Sequence, residues 1–367
     1  MSSISQVFAG LDYHQDSVQV CVVNEAGDTL FNRSVNNDLI EVAHALTRHG
    51  RPRRVAIEAC CGAAELAEQL IVQRELPVKL AHPGYVQRLK RSPDKTDLSD
   101  ARLLADLTRV NYVPEVWLAP RHIRELRRLM RHRCQLVRRR KDVKLRIRGM
   151  LRENRIERPQ ARAWTKAWLE WLEKVAPLGE SDRWIVDDHL AEIKSLSSRI
   201  QAVEKRVRQA IDGDPIVERL LTLEGVGLVT AATLRAEIGR FDRFSTGKQL
   251  ARFCGVTPRN ASSGTRQADA GLIRAGNPEL RTVLIELAHR LTHRLKSQWG
   301  KLAAGMLKRG KPKNVVIAAV ANRWVRWLHH ELRREVENPA PEAKTSAPAQ
   351  QKGAAPSIIA VASTSGG

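Results

Sequence analysis

Four carboxylates have the residue types and the spacing that are needed to hold divalent metal ions. Asp12 follows the apolar run at residues 7–11, and Glu58 follows the run at residues 54–57. Both runs are typical of buried strands, so their side chains would meet at one sheet edge if the strands are neighbours. Asp97 and Asp100 are three residues apart, which places them on one face of a helix. This set suits Mg²⁺, and two metal ions about 4 Å apart suit in-line displacement at a phosphodiester.

Each carboxylate also has an ordinary structural interpretation. Asp12 could be a solvated residue at a strand end, and Asp97 could be the N-cap of the helix that begins beside it. The nearby acids Asp16, Asp94 and Asp106 are interpreted as solvated. The joint placement of four acids at two strand ends and one helix is what favours a metal site.

A loop in the C-terminal third of the chain offers a nucleophile. Ser262 and Ser263 precede Gly264 and lie close to basic residues, among them Arg266. A serine hydroxyl can attack phosphorus when a metal ion or a base lowers its proton affinity and cations hold the phosphate. A Ser-Ser-Gly sequence is also an ordinary turn, and composition alone favours the turn.

The elements that must position the acids are predicted to form an α/β domain. Turn formers at residues 24–28 indicate a hairpin between two strands. Strand, hairpin and strand, followed by alternating helix and strand, is the element order of an RNase H-like domain. The predicted strands cover residues 7–11, 17–23, 29–35, 54–57 and 77–81, and the predicted helices cover residues 38–49, 63–74 and 97–110.

Beyond residue 120 the pattern becomes helical. Residues 193–210 repeat apolar side chains in alternating steps of three and four, which is typical of a coiled-coil seam. This segment and the helical segment at 121–158 are expected to form an antiparallel hairpin or a subunit contact. Gly225 and Gly227 lie between two helical stretches and predict a helix-hairpin-helix element, whose turn amides can approach a phosphate.

The fold class is therefore α/β plus all-α, with four segments. Residues 1–120 are predicted to form the RNase H-like domain, and residues 121–212 the basic helix and coiled-coil region. Residues 213–336 are predicted to form a mainly helical C-terminal domain that carries the serine loop. Residues 337–367 are rich in Pro, Ala, Ser and Gly without a period, which predicts a disordered tail.

The formal net charge of +22 over 367 residues indicates a polyanionic partner, with nucleic acid ahead of a membrane surface. Residues 121–158 contain 16 basic and 4 acidic side chains, and residues 213–336 contain 22 and 10. Arginines near the turn at residues 273–278 could clamp phosphates or simply be solvated. The candidate nucleic-acid contacts are Arg138, Arg139, Arg140, Lys141, Lys144, Arg266, Arg274 and Arg281.

Other features exclude several classes of protein. No run of about 18 apolar residues is present, which argues against a transmembrane helix, and the N-terminus lacks a signal segment. The five cysteines include no Cys-x-x-Cys pair, so a zinc site and a disulfide framework both lack support. A reducing cytoplasm fits this cysteine usage.

Several segments resemble the transposases of insertion-sequence family 110, which are relatives of the Piv DNA invertase. The resemblance covers about residues 5–330 in the right order, although Ala275 stands where a basic or polar residue would be expected. The family pattern places its serine directly before a glycine, which favours Ser263 over Ser262. The matching segments are residues 10–14 (GLDYH), 57–58 (IE), 95–101 (KTDLSDA), 255–258 (GVTP), 263–264 (SG), 274–277 (RAGN) and 280–281 (LR).

The resemblance implies a RuvC-like catalytic domain with a DEDD acidic set that uses Mg²⁺, or Mn²⁺ in its place. It implies that Ser263 attacks a DNA phosphodiester and forms a covalent phosphoserine link. It also implies a structured non-coding guide RNA that pairs with target and donor DNA. Dimers would pair into tetramers, with the acids of one subunit facing the serine of another. The implied acidic set is Asp12, Glu58, Asp97 and Asp100, and the expected location is the bacterial cytoplasm in association with the nucleoid.

Three other classes of protein could share parts of this pattern. A RuvC-like nuclease would use the same acids with water as the nucleophile, and it would leave no covalent protein–DNA adduct. A non-catalytic nucleic-acid-binding protein would need only the basic segments, so its function would survive loss of the acids. An actin-like sugar kinase would need a second RNase H-like domain with phosphate loops, which the sequence does not suggest.

Overall fold

The computed structural model describes residues 6–89, 96–157, 159–260 and 269–337. The described chain divides into two compact units, with the boundary between Arg121 and His122. The N-terminal unit is mixed α/β, and the C-terminal unit is almost entirely helical.

The N-terminal unit is built on a six-stranded sheet, whose strands are β1 (Val7–Tyr13), β2 (Ser17–Val23), β3 (Thr29–Asn36), β4 (Pro52–Glu58), β5 (Val78–Ala81) and β6 (Glu115–Val116). Their order in the sheet is β3-β2-β1-β4-β5-β6. β1 pairs antiparallel with β2 and parallel with β4, and β5 continues the parallel part of the sheet. β2 and β3 form the predicted hairpin, and β6 pairs antiparallel with β5. This arrangement is consistent with an RNase H-like domain.

Helices cover both faces of this sheet because its central strands alternate apolar side chains to either side. α1 (Leu39–Thr47) and α2 (Ala63–Arg74) pack on one face against side chains such as Leu11 and Ile57. α4 (Asp97–Arg109) packs on the other face against Phe8 and Ala56. α3 (Pro83–Leu89) and the two-residue β6 were not predicted, because each is too short to show a period.

The C-terminal unit begins with two long antiparallel helices, α5 (Arg121–Glu153) and α7 (Glu180–Ala210). Arg133 pairs with Glu204 at 2.7 Å, and Arg140 donates to the Ser197 hydroxyl at 3.1 Å. The contacted residue of α7 moves from Glu204 to Ser197 as the residue of α5 moves from Arg133 to Arg140, so the two helices run antiparallel within one chain. This is the first of the two predicted arrangements.

Apolar seam residues of α5 and α7 share a core with the helices that follow residue 213. The predicted tail lies outside the described residues, apart from Glu337. Among the described helices, none combines the length and the apolar character that are needed to cross a bilayer. The remaining elements are α6 (Lys166–Lys174), α8 (Pro215–Thr222), α9 (Leu228–Ile238), α10 (Gly247–Phe253), β7 (Pro258–Asn260), β8 (Asp269–Leu272), α11 (Pro278–Thr292), α12 (Gln298–Lys308) and α13 (Lys313–Glu337).

Candidate active site

Asp12 and Glu58 extend from neighbouring strands on the face of the sheet that α4 covers. In the parallel ladder of β1 and β4, Gly10 lies opposite Ala56. Ala56 packs against Leu104 of α4, so the side chain of Ala56 lies on the face of the sheet that α4 covers. Side chains two residues apart on a strand point to the same side, so Asp12 and Glu58 share the side of Gly10 and Ala56. The structure therefore brings the two acids to adjacent strand ends.

The first turn of α4 brings the other two acids to the same strand ends. Thr96 is the N-cap of this helix, because its hydroxyl accepts from the Ser99 amide at 3.2 Å and the Ser99 side chain completes a capping box. Asp97 is therefore the first residue of the helix and not its N-cap. Asp100, one turn further on, is only 5% exposed.

His14 connects the two sets of acids. Its Nε2 lies 3.3 Å from Oδ2 of Asp12 and 3.3 Å from Oδ2 of Asp97. One potential ligand atom from each of these three residues lies within 4.8 Å of the other two. His14 belongs to the GLDYH segment but was not predicted as a site residue. His14 is the residue after the end of β1, so strand alternation did not point to it.

Burial and neighbouring carboxylates together raise pKa values at the site. Burial raises the pKa of Asp12 above its ordinary value of 3.8, and Asp100 and Asp97 raise it further, while His14 lowers it. Burial also raises the pKa of the Cys60 thiol, and both Glu58 and Asp12 add to this rise. Both strand-end acids are therefore close enough to Cys60 to raise the pKa of its thiol.

This donor set fits a hard divalent cation. Carboxylate oxygens are the ligands that such ions prefer, and a bound cation would remove the repulsion that disfavours ionisation of Asp12. Asp12 is 16% exposed in its side chain, whereas His14 and Asp97 are 46% and 56% exposed. The site is therefore open to solvent and to a large substrate on the side of His14 and Asp97.

Two of the predicted nucleic-acid contacts on α5 are engaged with the protein itself. Arg138 pairs with Glu279 of α11 at 2.8 Å, although its side chain stays 59% exposed. Arg140 is the donor to Ser197 in the contact between α5 and α7. These guanidinium groups stabilise helix packing in the described structure.

The other three predicted contacts on α5 differ in their surroundings. The Lys144 ammonium lies 4.6 Å from the centre of the Trp164 ring, and burial together with the charge of Arg140 lowers its pKa. Arg139 and Lys141 are exposed on the helix surface.

Arg281 is directed toward protein backbone. Its Nε donates to the Gly255 carbonyl at 3.0 Å, and its Nη2 donates to the Ile273 carbonyl at 3.0 Å. Further contacts reach the carbonyl groups of Arg274 and Gly276 at 3.3 and 3.2 Å. The guanidinium thus closes the turn before α11, while the Arg274 side chain itself is exposed.

The predicted nucleophile lies outside the described residues. Ser263, the alternative Ser262 and Arg266 all fall within residues 261–268. β7 leads into this segment and β8 leads out of it, and the two strands pair antiparallel from Pro258 opposite Leu272.

Comparison with known proteins gives matches over most of the chain. A family model for DEDD transposases of the IS110 type matches residues 9–155, and a model for the transposase IS116/IS110/IS902 family matches residues 217–303. A probable family 20 transposase from Pseudomonas aeruginosa is 32% identical over 302 residues, which cover 77% of this chain and 85% of the relative. The chain belongs to the IS110 family of insertion-sequence transposases. The resemblance stated from its motifs is confirmed.

Two further relatives of this IS110-family transposase match it over different shares of the chain. The transposase for insertion sequence element IS1111A of Coxiella burnetii is 26% identical and covers 87% of this chain and 88% of the relative. The pilin gene-inverting protein of Moraxella bovis is 28% identical over a shorter stretch, 35% of this chain and 41% of the relative. All four acids of the site lie within the N-terminal family match, and residues 261–268 lie within the C-terminal one.

Proposed function

We propose that this IS110-family transposase is an RNA-guided DNA recombinase that cuts and rejoins strands through a covalent phosphoserine intermediate. The observation that carries the proposal is the convergence of Asp12 and Glu58 on the α4 face, where Asp97 and Asp100 begin the helix. Four acids of this kind at two strand ends and one helix start suit phosphodiester chemistry.

The acidic set would hold Mg²⁺, with Mn²⁺ as a substitute. When bound, the metal ions supply positive charge at the scissile phosphate. The four carboxylates would provide the ligands, and their positions follow from the pairing of β1 with β4 and from the capped start of α4. His14 holds Asp12 and Asp97 in a common orientation.

Ser263 is proposed as the nucleophile. Its Oγ forms a bond to phosphorus while the bond from phosphorus to the leaving sugar oxygen breaks. The hydroxyl proton leaves the serine, and the leaving oxygen takes up a proton. The phosphoserine link retains a phosphodiester for later rejoining, whereas hydrolysis by water would leave separated ends.

The basic surface of the C-terminal unit would bind donor DNA, target DNA and a structured guide RNA. Base pairing with the RNA would select the sequence, while the protein reads backbone and shape. Arg139, Lys141 and Arg274 are exposed and suit phosphate contacts; Arg266 would add a charge beside the serine. Assembly as dimers that pair into tetramers would bring the acids of one subunit to the serine of another. Such an enzyme would act in the bacterial cytoplasm on the nucleoid.

The test is a search for a covalent protein–DNA adduct on denaturing gels, with guide RNA and DNA that carries the element ends. Asp12→Asn, Glu58→Gln, Asp97→Asn and Asp100→Asn should each abolish cleavage while nucleic-acid binding persists. Ser263→Ala should abolish the adduct and strand exchange but keep binding, and Ser262→Ala should lose much less.

The outcomes separate the alternative functions. Cleavage by the wild type without any adduct indicates a nuclease that uses water. An adduct that persists in Ser263→Ala but is lost in Ser262→Ala makes the neighbouring serine the nucleophile. Full cleavage by Asp12→Asn would refute the proposed metal site. Nucleic-acid binding by the wild type without any cleavage would favour a non-catalytic binding protein.

A further inference from the structure

A buried carboxylate joins the basic helix α5 to the segment that precedes α11. Glu237 in α9 is 4% exposed. Arg131 of α5 donates to it through Nε at 3.0 Å and Nη2 at 3.1 Å, and Asn277 donates through Nδ2 at 2.8 Å. Arg127, one turn before Arg131, lies 3.7 Å away. A buried charge persists only with such partners, so the position of Glu237 is strongly determined by these contacts.

Asn277 uses both ends of its side chain. Its Oδ1 accepts from the backbone amides of Glu279 and Leu280 at 2.9 and 3.1 Å, which makes it the N-cap of α11. Its Nδ2 donates to Glu237, and its own backbone amide donates to the Phe253 carbonyl at 2.9 Å. Asn277 is therefore held by α9, by α11 and by the end of α10.

The residues beside Asn277 close the two ends of the β7–β8 hairpin. A Cβ on Gly276 would overlap the Gly255 backbone, so the chain segments before β7 and after β8 are in direct contact. Arg281 lies across this contact and donates to both the Gly255 and the Gly276 carbonyl groups. We call Gly255, Gly276, Asn277 and Arg281 the hairpin base.

We infer that Glu237 is a positioning residue that fixes the hairpin base to the basic helix α5. The inference rests on the proposed function, in which the hairpin carries the nucleophile and α5 binds nucleic acid. Through Glu237, Arg131 of the helix and Asn277 of the hairpin base share one carboxylate. The hairpin thereby keeps a fixed orientation with respect to nucleic acid that lies along α5. Catalysis by a positioned nucleophile depends on such alignment, because a displacement of about 1 Å can cost roughly 100-fold in rate.

Two substitutions break this connection while leaving the remaining structure in place. Asn277→Ser keeps a side-chain oxygen for the α11 cap but loses the amide that reaches Glu237. Glu237→Gln keeps the shape and removes the charge that Arg131 and Asn277 share. Glu204→Gln is the matched control, since it breaks another pair of α5, that with Arg133, without touching the hairpin base.

The experiment compares limited trypsin cleavage with adduct formation in the full-length chain bound to its guide RNA. Arg259 in β7 and Arg274 after β8 are exposed cleavage sites on the two arms of the hairpin. Both test variants should be cut there about tenfold faster than the wild type and than Glu204→Gln, because loss of a buried hydrogen bond raises the opened fraction by this order. Adduct yield should fall roughly 10- to 100-fold, while nucleic-acid affinity stays at the level of the control.

The inference is overturned if trypsin cuts both test variants at the rate of the control and both variants form the adduct at the rate of the control. Faster cleavage of the hairpin with wild-type adduct yield would equally refute a positioning role. A wild-type protein that forms no adduct at all would refute the serine nucleophile of the proposed function. In that case the cleavage rates at Arg259 and Arg274 still decide whether Glu237 fixes the hairpin.

Discussion

Gly10 of β1 lies so close to Ala101 of α4 that a Cβ on Gly10 would overlap the Ala101 carbonyl oxygen. Only glycine permits this approach of helix and strand. Asp12 lies two residues after Gly10, and Asp100 immediately precedes Ala101. The contact therefore sets the separation between the strand-end acids and the helix acids.

Gly10→Ala is expected to push α4 away from β1 and to separate the acids. We expect a loss of about 1–3 kcal/mol in the free energy of unfolding and loss of cleavage. The control is Gly149→Ala in α5, where no atom would lie within 4 Å of the new Cβ. That change should raise the free energy of unfolding by about 0.5–1 kcal/mol, because alanine favours a helix. Denaturant titrations measure both; equal stability and activity of Gly10→Ala and the wild type would contradict the argument.

The raised pKa of Asp12 predicts a pH-dependent stability. A raised pKa means that the folded chain binds the Asp12 proton more tightly than the unfolded chain, whose aspartate titrates near 3.8. The free energy of unfolding therefore falls as pH rises from about 3.8 through the raised value, and it stays lowered at neutral pH. Asp12→Asn removes this cost, so it should melt above the wild type near pH 7 in EDTA, with a gap that narrows toward pH 4.

Divalent cations should reverse the order. Added Mg²⁺ should raise the melting temperature of the wild type and leave that of Asp12→Asn nearly unchanged, because ligand binding stabilises only the state that binds it. A variant that melts below the wild type at pH 7 in EDTA would mean that the contact of Asp12 with His14 outweighs its burial and its acidic neighbours.

His14→Asn is expected to weaken metal binding more than the maximal rate. The substitution removes the shared contact of Asp12 and Asp97 but leaves every carboxylate in place. The Mg²⁺ concentration for half-maximal cleavage should rise about tenfold, as for other residues that orient metal ligands. His82→Asn, in the same unit but on the turn before α3, is the control. An equal shift in both variants would rule out a specific role for His14.

Arg139 and Lys141 are expected to contact phosphates. The double change to Ala should reduce the slope of log K against log salt by about two, and it should weaken binding to all sequences alike. Arg133→Ala is the control, because Arg133 is paired with Glu204 and should affect stability and not the salt slope. Binding isotherms at increasing salt distinguish the two, and an unchanged slope in the double variant would remove these residues from the interface.

The placement of the four acids near one another could be predicted because local rules position each of them. Strand alternation orients Asp12 and Glu58, and the helical step of three pairs Asp97 with Asp100. The sequence did not exclude Asp97 as the N-cap, because Thr96 and Asp97 are both residue types that commonly cap helices. His14 was missed because it follows the last residue of β1, where strand alternation no longer has to hold.

The network around Glu237 could not be predicted because its partners are distant in sequence. Arg131 is separated from Glu237 by 106 positions and Asn277 by 40. Composition identified a basic helix, but it does not distinguish an arginine that is paired with a protein carboxylate from one that faces solvent. Arg138 and Arg139 are neighbours with the same side chain, and the sequence around them does not show that Arg138 pairs with Glu279.

Under the proposed function, the length of α5 limits how much nucleic acid can lie along this helix. A helix of 33 residues is about 50 Å long, since each residue adds about 1.5 Å. A duplex that rises about 3.4 Å per base pair could follow this helix for at most about fifteen pairs. Removal of seven residues from each of α5 and α7 would shorten the helix pair by about 10 Å. The stretch of duplex that the protein protects from nuclease digestion should then shrink by about three base pairs.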